Sequence, residues 1–180
     1  MTDETTIRDL VEKLTEERTK LLAQIEALSE EQAGFAPADA EGEAQWSAKQ
    51  QCAHLTEMET RYRAWVELAL AEENPDLDGT RSEPVAVPLE QANQHPVSEL
   101  VAELRSQREK TLVLIETIRP EQYERTATLS IFGTLTVLQW LRSCYRHDRM
   151  HQDQIAGREP AYQPRYVDGR EPDQRRGTSS

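Results

Sequence analysis

The chain has 180 residues, enough for one domain with a sizeable core, and its 37% hydrophobic and 30% charged content suits a soluble globular protein. A net charge of −12, from 33 acids against 21 bases, opposes nucleic-acid backbones and anionic membranes as partners. No apolar run approaches the ~20 residues of a membrane span, and the acidic start Met1-Thr2-Asp3-Glu4 lacks the apolar core of a signal peptide, so a cytoplasmic location is expected.

Thr2 to Leu28 is predicted as the first helix. Ile7, Leu10, Leu14, Leu21, Ile25 and Leu28 recur at helical spacing, and Thr5 and Thr6 are the candidate caps. Ser29-Glu30-Glu31-Gln32 has the spacing of a small capping box, and Gly34 closes it. Phe35 to Gln45, with Pro37 and Gly42, reads as a loop. Ser47 is the predicted N-cap of a second helix running to about Glu73, where Asn74-Pro75 stops it. Asn74 to Pro96 carries five prolines and glycines and reads as a long connection. A third helix follows from Val97 or Ser98 to Arg119-Pro120.

Thr126 to Phe132 alternates and reads as a short extended segment, with Gly133 as its turn. Thr134 or Thr136 then caps a fourth helix that runs to Ala156, with Gly157 just past its end. The expected architecture is all-α: a four-helix bundle with long helices near residues 4–29, 47–73, 97–118 and 135–156. Residues 1–157 form the expected bundle, and 158–180 a polar C-terminal tail. Ile25 to Gln32 echoes Ile115 to Gln122, each at a helix end, so the chain has the outline of two helix pairs.

The most informative stretch is Cys144 to Ile155. His147 and His151 stand four apart and share one helical face with Val137, Trp140, Cys144 and Ile155. Surface helices carry such pairs by chance, but a pair inside the apolar stripe needs buried partners, and a metal ion would supply one. The chain has only four histidines. His95 adjoins Pro96 in the long connection, so His54 on the second helix is the natural third ligand. Glu-x-x-His, the signature of di-iron bundles, does not occur on these helices. Three imidazoles with an open position suit zinc, nickel or iron. Cys52 and Cys144 form no CxxC motif and are expected as reduced packing thiols. Asp148 and Asp153 are expected in solvent, with Asp148 also a candidate holder of a histidine N–H; Gln154 is a candidate contact for the open position.

Trp46-Ser47-x-Lys49-x-x-x-x-His54-Leu55, with His147-Asp148-Arg149-x-His151-x-x-Gln154-Ile155, resembles the DinB/YfiT-like superfamily of metalloenzymes. The resemblance covers about residues 5 to 157. It implies a four-helix bundle with a long crossover between helices two and three, and a divalent metal held at His54, His147 and His151. It further implies a small-molecule substrate, with thiol-dependent S-transfer as the leading activity. Metal-dependent hydrolysis and non-catalytic metal or metabolite binding are the alternatives. A low-molecular-weight thiol and a second copy of the chain are the candidate partners.

Overall fold

The computed structural model describes residues 2–40, 42–80, 86–164 and 173–175. Its helices are α1 Glu4–Glu26, α2 Glu30–Gly34, α3 Ala48–Ala71, α4 Leu89–Asn93, α5 Val97–Thr117 and α6 Val137–Ile155. The four long ones, α1, α3, α5 and α6, form the expected bundle. The described residues contain no helix long and apolar enough to cross a membrane.

Capping chemistry sets where these helices begin. Ser47 and Thr136 each accept from the backbone N–H three residues on, while Gln50 and Gln139 reach back to the cap residue's own N–H. The first helix differs from expectation. Asp3, not Thr5 or Thr6, is its cap, and Asp3 Oδ1 accepts from the Thr6 N–H at 2.8 Å. Thr6 sits where the orphan donor of the first turn must be, so it is satisfied by the cap and cannot serve as one. Gly157 ends α6 at φ +66°, a left-handed conformation that suits glycine.

The crossover from α3 to α5 is fastened at both ends. Near its start, Leu77 N–H donates to the Thr128 carbonyl and Thr128 N–H to the Pro75 carbonyl, at 2.8 and 2.9 Å. The indole N–H of Trp65 donates to Thr80 Oγ1. Near its end, Gln50 Nε2 donates to the Val87 carbonyl and Lys49 Nζ to the His95 carbonyl, both at 2.8 Å. The alternating segment before α6 is an antiparallel hairpin, β1 Thr126–Leu129 with β2 Gly133–Thr136. Beyond α6, β3 Tyr162–Pro164 pairs antiparallel with β4 Asp173–Arg175; the remainder of the predicted tail, 165–172 and 176–180, lies outside the described residues.

The sequence echo has a local structural cause. Gln32 Oε1 accepts from the Ser29 N–H, and Gln122 Oε1 from the Arg119 N–H, so both copies close a short turn in the same way.

The core divides into two apolar clusters along the bundle axis. One contains Leu14, Met58, Tyr62, Trp65, Ile115, Trp140 and Cys144. The other contains Leu21, Ile25, Cys52, Leu55, Val101 and Leu104. Between them, each long helix contributes one buried charge: Arg18, Glu59, Arg108 and Asp148, none more than 3% exposed. Arg18 donates from Nε and Nη2 to the two oxygens of Asp148, at 3.0 and 2.8 Å, and also reaches Glu59. Arg108 donates to Glu59 Oε1 at 2.7 Å and to Asp148 Oδ2 at 2.9 Å, and Thr111 adds a hydroxyl bond to Glu59. The Nη1 groups of Arg18 and Arg108 donate to the carbonyls of Leu104 and Leu14. Burying four ions is costly, and it is tolerated because two positive and two negative charges meet with a hydrogen bond on every guanidinium nitrogen and carboxylate oxygen.

Candidate metal centre

His54 on α3 and the pair His147 and His151 on α6 meet where those two helices face each other. His147 Nε2 lies 3.1 Å from His54 Nε2 and 3.0 Å from His151 Nε2. All three rings are 5% exposed or less. Burial pushes His147 and His151 well below the usual histidine range, and the neighbouring imidazoles push the same way. Both are therefore neutral at pH 7, the form that offers a lone pair. Trp46, just before α3, packs edge-on against His54 with ring centroids 5.0 Å apart.

A fourth group completes the cluster. Glu43, in a 3-10 turn at Gly42–Gln45, places its two carboxylate oxygens 3.9 Å from His54 Nε2 and His151 Nε2. The four ligand atoms all lie within 4.8 Å of one another. The Glu43 side chain keeps 24% of its surface in solvent and so marks the mouth of the site. Burial of the rest raises its carboxyl to about 7. The loop around Glu43 has no hydrophobic period, so sequence spacing gave this residue no weight. The only sequence signal is its position three residues before Trp46.

The donor set fits a divalent ion. Two imidazole nitrogens about 2.0–2.1 Å from one ion are roughly 3.0 Å apart at a right angle and roughly 3.4 Å apart at a tetrahedral angle. The observed separations, 3.0 and 3.1 Å, fall at the compact end of that range. Glu43, at 3.9 Å from two of these nitrogens, stands further back than they do from one another. It faces the open corner of the three-histidine set.

Several expectations about neighbouring residues are corrected. Asp148 is neither in solvent nor bonded to a histidine; it is fully buried and held by Arg18 and Arg108. Its partners lie on α1 and α5, which spacing along α6 cannot reveal. Asp153 is also buried, accepting from Arg158 and from the Ala161 N–H. Gln154 follows His151 by three residues, and its buried Oε1 has no hydrogen-bond partner among the described residues. Both cysteines are buried thiols, as expected. Burial raises Cys52 to about 12 and pushes Cys144 up as well, so neither supplies a thiolate.

A four-helix bundle with three histidines and a carboxylate converging between α3 and α6 defines a class of metal-site bundle. The sequence profile of the DinB superfamily matches residues 13–155, and the chain belongs to that superfamily. Among solved structures it is similar to YfiT from Bacillus subtilis, with 17% identity, a TM-score of 0.67 and 87% of each chain covered. YfiT is described as a probable metal-dependent hydrolase with an unusual four-helix bundle topology. No curated protein sequence matches the chain.

Proposed function

We propose that this chain is a divalent-metal-dependent enzyme, with zinc, nickel or ferrous iron held by His54, His147 and His151, and that it hydrolyses a small ester or amide. The observation that carries this is the pairing of three convergent imidazole nitrogens with the Glu43 carboxylate across the open corner. The description of YfiT as a probable metal-dependent hydrolase supports the same class.

Bound there, the ion supplies Lewis acidity, polarising a carbonyl and acidifying water. The chain supplies the rest. The three imidazoles leave one side of the centre open towards Glu43. The Glu43 carboxylate stands where it can accept a proton from an attacking water and return it to the departing alcohol or amine. General-base help of this kind is worth roughly 10²–10⁴ in rate. Trp46 packs edge-on against His54 and supports that ring.

Thiol transfer, the activity implied by family resemblance, would use the same open corner with a thiol in place of water. A free thiol has a pKa of about 8.5 and needs no base once a cation stabilises its anion. Glu43 therefore separates the two reactions. Metal-loaded protein without a histidine tag, screened against esters, amides and thiol–electrophile pairs, should cleave at least one ester or amide, and Glu43→Gln should slow that cleavage about 100-fold or more. Thiol consumption that Glu43→Gln leaves unchanged, with no hydrolysis, would overturn the hydrolase assignment in favour of transfer. Metal binding without turnover of either kind would favour a binding protein.

A further inference from the structure

One amide fixes the orientation of His151. Gln51 lies one turn before His54 on α3 and is 1% exposed. Its Nε2 is 3.0 Å from the Trp46 carbonyl, and its Oε1 is 3.0 Å from His151 Nδ1. The roles follow by elimination. A carbonyl oxygen only accepts, so the nitrogen of the Gln51 amide must be the end facing Trp46. That turns Oε1 towards His151, and an amide oxygen also only accepts. The proton must then sit on His151 Nδ1, leaving Nε2 with a bare lone pair. That Nε2 is the atom 3.0 Å from His147 Nε2 in the centre.

We infer that Gln51 is a positioning residue for the metal centre: with the Trp46 carbonyl holding its amide, it locks His151 in the Nδ1–H tautomer and turns its Nε2 lone pair to the ion. The assignment rests on the metal centre proposed above. Its structural content, the tautomer, is independent of whether metal is bound. Outer groups that hold a ligating histidine in this way typically change metal affinity 10- to 100-fold when removed. The chain also links the ligand to the mouth. Trp46, which supplies the carbonyl, ends the segment that carries Glu43.

The test uses the full chain and three proteins: wild type, Gln51→Met and Gln51→Glu. Methionine keeps the length and apolar bulk but offers no amide oxygen. Glutamate keeps an oxygen facing His151. Nitrogen-15 NMR of the metal-free proteins reads the tautomer, zinc competition against a chromophoric chelator reads affinity, and far-UV circular dichroism reports folding. Expected are a protonated Nδ1 on His151 in wild type and Gln51→Glu, loss of that preference in Gln51→Met, and zinc binding 10- to 100-fold weaker in Gln51→Met with partial recovery in Gln51→Glu. A wild-type His151 protonated on Nε2 overturns the inference. So does a folded Gln51→Met that keeps the Nδ1–H tautomer, or one that binds zinc within threefold of wild type. If wild type binds no zinc, the metal centre is refuted, and the tautomer of wild type against Gln51→Met still decides the role of Gln51.

Discussion

Replacing Glu59 by Gln tests the buried charge cluster directly. Glu59 is 3% exposed and accepts from Arg18, Arg108 and Thr111. Burial alone would raise its carboxyl, but the guanidinium groups of Arg108 and Arg18 and the hydrogen bonds more than offset it, holding the group at about 2 against an ordinary 4.5. That depression is worth roughly 3 kcal/mol, and removing one partner of a buried ion cluster costs about 3–5 kcal/mol by mutation. The two magnitudes agree. Because the folded value is depressed, the stabilisation is fully present above pH 4.5 and is lost as pH falls towards 2. About 2 kcal/mol of it should be gone by pH 3.

Urea unfolding followed by circular dichroism should therefore show Glu59→Gln less stable than wild type by about 3–5 kcal/mol at pH 7. The midpoint temperature should fall by roughly 6–20 °C, and the gap should narrow markedly at pH 3. Glu12→Gln, which breaks only the exposed pair of Arg8 and Glu12 at 3.9 Å, is the control and should change stability by less than about 0.5 kcal/mol. A Glu59→Gln loss under about 1 kcal/mol at pH 7, or a gap unchanged between pH 7 and pH 3, would refute the account.

Three further outcomes follow from the site and its supports. His147→Ala should lose stoichiometric zinc while keeping its helical circular dichroism, whereas full zinc in His54→Ala/His151→Ala would rule out these ligands. Zinc affinity of wild type should decline as pH drops from 7.5 to 6, because Glu43, raised to about 7, must release its proton to face the ion. His147 and His151, neutral well below 6.5, add little to that slope; Glu43→Gln should flatten it in calorimetric titrations, and an equal slope in both proteins would exclude Glu43 from the centre. Ser47→Ala should cost about 1 kcal/mol by chemical denaturation through loss of the α3 cap, and a neutral result would show that Gln50 alone suffices there.

What the sequence made legible was whatever repeats along a single helix. The apolar stripes gave all four long helices; Ser47 and Gly157 marked two of their ends, and Thr136 proved to be the cap of the two candidates, Thr134 and Thr136, before α6. The spacing of His147 and His151, with His54 as the one remaining helical histidine, pointed to the set that converges. Pairing between helices was not legible. Arg18 sits in the stripe Leu10, Leu14, Arg18, Leu21, Ile25, yet nothing in α1 names Asp148 as its partner. Asp148, beside a histidine in sequence, turns away from the site because guanidinium groups from two other helices reach it first. Glu43 was missed for the opposite reason: it lies in a loop, where no period marks a residue as facing inward.

The four buried charges also decide how the helices are aligned before any metal arrives. A helix that slides by one turn moves its charge about 5.4 Å along the axis, out of reach of its partners and into an apolar layer. The observed alignment of α1, α3, α5 and α6 satisfies all four at once. Asp148 is covalently next to His147, so that alignment also sets how high α6 stands against His54 on α3. The imidazoles are thus brought together by ion pairing elsewhere in the bundle, and metal enters a pocket already shaped. Chelation should empty the site and leave the bundle standing, unlike a zinc finger, whose fold is lost with its ion.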